Sequence, residues 1–119
     1  EKKTDSRVVE VSEISRGLKL MAKDFGVPCI CCAQLSRGTE KDKRRPALSD
    51  LRESGSIEQD ADLVMFLYRD DYYGKENPEK KGMSECIIAK NRHGETGIVK
   101  LLWIGEYTKF VSVDEEHGE

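Results

Sequence analysis

The sequence predicts an α/β fold, with a central, mostly parallel sheet and an antiparallel meander at its C-terminal end. Three observations lead there. An amphipathic helical stretch runs directly into the continuous apolar segment "VPCICCAQL" (27–35). A second apolar block, "LVMFLY" (63–68), follows a polar stretch. Three further strand-like runs then succeed one another through short turns.

The helix is read over residues 6–25, where Val8, Val11, Ile14, Leu18, Met21 and Phe25 recur at steps of three and four. That spacing makes one apolar stripe. Gly26 is placed to be the residue just past the helix end, and Pro28 stops continuation. Gly17 inside the helix costs about 1 kcal/mol against alanine, which burial of the stripe can offset. "VPCICCAQL" is apolar on both faces, which suits a covered central strand, and Pro28 at its start loses no needed N–H. Helix followed by buried strand reads as half of a βαβ unit whose first strand lies upstream.

Residues 36–47, "SRGTEKDKRRPA", form a charged loop. After "LVMFLY" comes the polar excursion "RDDYYGKENPEKKGM", then the strands "SECIIAK" (84–90), "IVKLLW" (98–103) and "YTKFVSV" (107–113). Their short connections, "NRHGETG" and "IGE", require antiparallel neighbours. "DEEHGE" reads as a frayed tail. Many strands with one long helix make an incomplete α/β pattern, the back half of a domain. Its unpaired edges and uncovered apolar face predict a chain that is marginal or self-associating by itself.

Composition narrows the function. Charged residues make up 36% of the 119 residues, yet the net charge is only −3, which argues against a basic nucleic-acid arm or an acidic tail. No apolar run is long enough for a membrane helix, and "EKKTDSR" lacks the apolar core of a signal peptide. Cys29, Cys31, Cys32 and Cys86 show no second C-x-x-C or histidine pair, so no metal site is assigned. They are expected to be reduced and buried as small hydrophobes, in a reducing compartment.

Several residues could carry chemistry, each beside a plainer reading. Gln34 ends an apolar strand, where ligands of open α/β sheets sit, and its amide could meet a terminal phosphate or simply water. Lys90 and Arg92 flank Asn91 at a strand end; alternation puts both on one side, as a phosphate or carboxylate clamp or as an exposed hairpin end. Arg52 and the backbone of Ser54-Gly55-Ser56 could follow a sugar-phosphate chain, or could form a capped turn feeding a buried strand. The basic loop of Arg37, Lys41, Lys43, Arg44 and Arg45 also holds Glu40 and Asp42 and could be solvated. Asp70 and Asp71 stand too far beyond the apolar strand for a magnesium-holding acid and are read as opening a solvated loop. His93 has no visible catalytic partner. No G-x-x-x-x-G-K-[ST] phosphate loop exists; Gly74-Lys75 is followed by Glu76.

Taken together, "VSEISRGLKLMAKDFGVPCICCAQLSR", "RRPALSDLRESGSIEQDADLVMFLYRDDYY" and "IIAKNRHGETGIVKLLWIGEYTKF" resemble the C-terminal half of the RecA-like motor domain of bacterial DnaB-type replicative DNA helicases. The resemblance is colinear over roughly residues 8–111, and the pairing of "SDLRESGSIEQDAD" with "KNRHGETG" is its specific part. It implies a partial RecA-like P-loop NTPase core over residues 1–119, with the P-loop and the acidic magnesium-binding strand upstream. By the same resemblance Gln34 matches the γ-phosphate sensor, and Arg52, Glu53 and Gly55 match the channel loop gripping single-stranded DNA. Lys90 and Arg92 match a pair acting in trans, with Arg92 as arginine finger. The implied function is ATP-driven 5′-to-3′ translocation and unwinding by a homo-hexamer in the bacterial cytoplasm, using ATP and Mg2+, with single-stranded DNA, primase and a helicase loader as partners. Without a P-loop, this polypeptide alone is expected not to hydrolyse ATP. The alternatives are a non-catalytic RecA-like oligomerisation module and, more distantly, the DNA-repair and clock branches of RecA-like ATPases.

Overall fold

The computed structural model describes residues 3–35, 44–69 and 82–113. The basic positions 37–43, the segment 70–81 and the tail 114–119 lie outside the described residues. The chain divides into two compact units, residues 1–62 and 63–119.

In the first unit, helix α1 spans Lys3–Phe25 and ends as the sequence predicts. Gly26 takes φ +62°, its N–H reaches the Lys23 carbonyl at 3.4 Å, and the Val27 N–H reaches the Ala22 carbonyl at 3.0 Å. Those two bonds are the Schellman closure that a left-handed glycine permits. A 3-10 segment, Leu48–Ser54, kinked at Leu51, leads into the short helix α2, Gly55–Asp60. Helix α1 meets α2 through polar anchors. Ser15 Oγ donates to Asp60 Oδ2 at 2.8 Å, and Lys19 Nζ reaches the Asp60 carbonyl at 2.7 Å and Asp62 Oδ1 at 3.0 Å.

The covered arc of α1 is therefore not the apolar stripe. The two share Val11 and Leu18, but Ile14 and Phe25 are 62% and 75% exposed. Residues 27–35 correct a second expectation: they are described without strand structure, and Ile30 is 87% exposed. A β-strand exists only where a neighbour completes its ladder, and among the described residues none pairs with this segment. For the same reason Cys29, Cys31 and Cys32 are exposed rather than buried, and Cys86 is half-buried; all four are free thiols.

The second unit is a four-stranded sheet in the order β1-β2-β3-β4, with every neighbouring pair antiparallel. Its strands are β1 (Leu63–Arg69), β2 (Met83–Asn91), β3 (Gly97–Ile104) and β4 (Lys109–Ser112). The predicted C-terminal meander is present. The predicted parallel pairing is not found among the described residues, because β1 joins the meander through β2. Strand β1, read as covered on both faces, alternates instead: Val64, Phe66 and Tyr68 are buried, while Leu63, Met65 and Leu67 are exposed. Strict alternation of burial marks a strand covered on one face.

Two local devices fix the far end of the sheet. Gly82 adopts φ +80°, and a Cβ there would stand 2.8 Å from the Trp103 carbonyl oxygen. Only glycine fits that close approach, which lets the Trp103 N–H reach the Gly82 carbonyl at 2.7 Å. The same carbonyl also accepts from the buried Ser84 Oγ at 3.0 Å. Trp103 then stacks obliquely on Phe110 at 4.8 Å, and the Arg69 guanidinium lies 4.7 Å over the indole.

The open face of the sheet carries Leu63, Met65 and Leu67 of β1 with Val99 of β3, each between 44% and 60% exposed. A contiguous apolar face of this kind favours association. The isolated 119-residue chain is thus expected to elute from size-exclusion chromatography as a concentration-dependent oligomer. A compact monomer across the concentration range would contradict that.

Candidate nucleotide-interface hairpin and nucleic-acid segment

The second unit presents the paired cations. Strand β2 is not regular where it meets β1: Val64 pairs with Lys90, but Met65 pairs with Ile88. Ala89 is thus an extra residue, a β-bulge, which sets Lys90 opposite the buried Val64 and Asn91 opposite Leu63. Bulges re-aim side chains at strand ends and concentrate near functional sites. Nothing in "CIIAKNR" announces it.

Arg92 stands one residue beyond β2, in the turn, and is exposed, whereas Lys90 is half-buried within the strand. Strand alternation therefore does not set the direction of Arg92, contrary to the sequence reading. Its placement comes from the turn. The Gly94 N–H points to the Asn91 carbonyl at 3.4 Å, and Asn91 Nδ2 donates to the Glu95 carbonyl at 3.2 Å. His93 is exposed.

The first unit holds the other candidates. Gln34 is exposed at the end of the extended segment 27–35, which is not strand. Arg52 and Glu53 occupy the 3-10 segment and Gly55 begins α2, while their side chains lie outside the described residues.

Just before them is a feature that sequence reading missed. Asp50 is buried, and its carboxylate takes both guanidinium nitrogens of Arg44, Nη2 at 2.6 Å and Nη1 at 2.9 Å. The same carboxylate accepts the Ala47 N–H at 2.7 Å, and the Asp50 N–H returns to the Ala47 carbonyl at 2.9 Å. Arg44 is thus ion-paired rather than merely solvated. A two-pronged charged bond of this kind fixes geometry as well as energy. The turn at 47–50 is closed by Asp50, and the backbone enters positions 51–55 from that clamp. The only sequence signal was an aspartate three residues after an alanine at the start of a short helical turn.

Among the described residues no group of three or more His, Cys, Asp or Glu side chains is placed to hold a metal ion. No helix among them is long and apolar enough to cross a membrane.

Comparison with known proteins matches these features to one family. The profile of the DnaB-like helicase C terminal domain covers residues 1–112. The replicative DNA helicase DnaC of Bacillus subtilis (strain 168) is 56% identical over 116 residues, which is 97% of this chain and 25% of that protein. The replicative DNA helicase DnaB of Geobacillus stearothermophilus is 54% identical over 116 residues, again 97% and 25%. One structure, solved as an isolated ATPase domain, superposes with TM-score 0.85 at 53% identity, covering 95% of this chain and 40% of that one. A DnaB-like replicative helicase, solved in a study of its interactions with primase, gives TM-score 0.86 at 53% identity, covering 96% and 27%. The chain spans about a quarter of the length of the curated relatives it matches. With a sheet meander, a hairpin cation pair and a domain profile all in one register, this chain belongs to the DnaB-like helicase C terminal domain family.

Proposed function

We propose that this chain is the C-terminal part of the motor domain of a hexameric replicative DNA helicase, coupling ATP hydrolysis at subunit interfaces to 5′-to-3′ movement on single-stranded DNA. The observation that carries this reading is the placement of Arg92: exposed on a turn, at the end of a strand anchored in the sheet. A guanidinium held on such a support can meet charge that develops on a transferring phosphoryl group. Lys90 adds positive charge beside it, and Gln34 supplies an uncharged amide to sense the terminal phosphate.

The nucleotide fits these groups by charge, but the family's phosphate loop is not in this chain. The described residues do not provide a magnesium site either, so no step here runs through the metal. The chain's own contribution is to complete, in trans, a site whose phosphate-binding loop belongs to the adjacent protomer.

Arg52, Glu53 and Gly55 form the proposed grip on the DNA backbone. Phosphate and sugar contacts position a strand without reading its bases, as a translocating motor requires. The exposed apolar segment 27–35 is suited to join a parallel RecA-like sheet in the full-length protein; its composition and the superposition on the solved ATPase domain support this. Primase and a helicase loader are further proposed partners, and the bacterial cytoplasm the proposed location. The relative solved with its primase interactions supports the first.

The test is Arg52→Ala in the full-length protein. A charge-assisted phosphate contact contributes about 1.5–3 kcal/mol, so single-stranded DNA affinity is expected to fall about tenfold or more. ATP affinity should remain within about twofold, since this contact touches the nucleic acid alone. Equal loss of both would remove the DNA-grip assignment.

A further inference from the structure

We infer that Asn91 is a positioning residue for the arginine finger: its side-chain amide closes the turn that aims Arg92 at the neighbouring protomer's nucleotide. The inference rests on the trans-acting role proposed for Arg92.

Arg92 lies outside the β-ladder, so its backbone direction depends on the 91–95 turn alone. The backbone closure of that turn, Gly94 N–H to the Asn91 carbonyl, is long at 3.4 Å. The shorter closure is the side-chain bond, Asn91 Nδ2 to the Glu95 carbonyl at 3.2 Å. Asparagine commonly holds turns in this manner, its side chain standing in for a backbone group. Position 94 is fitted to the same bond. A Cβ there would stand 2.8 Å from Asn91 Nδ2 and 3.4 Å from its Cγ, so a glycine leaves the amide its place.

The upstream side is equally constrained. The bulge at Ala89 sets Asn91 opposite Leu63 at the end of the ladder, so the amide starts from a fixed strand position. Strand end, amide bond and glycine together leave the segment carrying Arg92 little freedom. A long guanidinium side chain gains most from such restraint, because a misplacement of about 1 Å can cost about 10²-fold in rate.

The experiment is a double-mutant cycle in the full-length ring, with DNA-stimulated ATP turnover and the thermal midpoint as readouts. Asn91→Asp keeps the shape but replaces the donor by an acceptor facing a carbonyl. It is expected to lower kcat about tenfold with KM for ATP within about twofold, because a finger acts in the transition state. Gly94→Ala, which displaces the amide from the other side, should give a loss of the same kind. Adding Asn91→Asp to Arg92→Ala should cause no further fall, since a residue acting only through Arg92 has nothing left to position.

A wild-type kcat for Asn91→Asp, the same fractional loss in both backgrounds, or a loss tracking a lowered thermal midpoint would overturn the inference while leaving the finger in place. If Arg92→Ala itself turned over ATP at the wild-type rate, the finger reading would fail, and the positioning role with it.

Discussion

Replacing Arg92 by alanine in the full-length protein is expected to lower DNA-stimulated ATP turnover by about 10³-fold or more, the range associated with arginine fingers. KM for ATP should change little. A group that meets charge only as the phosphoryl transfers contributes to kcat and not to ground-state binding. Two structural facts support a large effect. The side chain is exposed on its own protomer, and its turn is braced at a strand end by the bulge at Ala89 and the Asn91 amide. Arg92→Lys should recover little, because an ammonium lacks the planar, two-pronged donor set of a guanidinium. Steady-state kinetics of the three proteins, with ring assembly verified by light scattering, checks both statements.

The second large effect is expected at Asp50. Asp50→Ala removes the acceptor for both Arg44 nitrogens and for the Ala47 N–H at once. The Arg44 side chain is 43% exposed and can rehydrate, so the ion pair counts for less than a fully buried one. The expected loss of local stability is about 2 kcal/mol, or about thirtyfold in the opening equilibrium of residues 47–52. Hydrogen exchange of that segment reads the change directly. Because the same segment leads into Arg52, single-stranded DNA affinity should fall with it while ATP binding stays near normal. Unchanged exchange in 47–52 would show that the clamp contributes nothing.

Local signals were legible in the sequence. The end of α1 at Gly26, the three strands of the meander and their turns depend on residues close in the chain, and glycine chemistry marks them. What needed a distant neighbour was not legible. "VPCICCAQL" has the composition of a central strand, but composition does not supply the strand beside it, so Cys29, Cys31 and Cys32 stand exposed. Apolar content likewise could not tell that β1 would pair antiparallel with β2 and cover only one face.

The site was legible in kind rather than in mechanism. "KNR" marked the cations, yet the bulge that places Lys90 and the amide that closes the turn appear only in the ladder register and the hydrogen bonds. The clamp of Arg44 on Asp50 was hidden because a basic loop and an acidic turn six residues apart in the chain each look solvated when read alone. Arg52, Glu53 and Gly55 were found by motif, and the structure adds the anchor in front of them.

The most direct test is subunit mixing. Arg92→Ala protomers would be co-assembled with protomers that retain Arg92 but carry a disabled phosphate loop, and ATP turnover followed across the mixing ratios. If the guanidinium serves the site of the next subunit, mixed rings will exceed the summed activities of the two parent rings, with a maximum at intermediate ratios. Turnover that never rises above that sum, in rings shown to be mixed, would contradict action in trans.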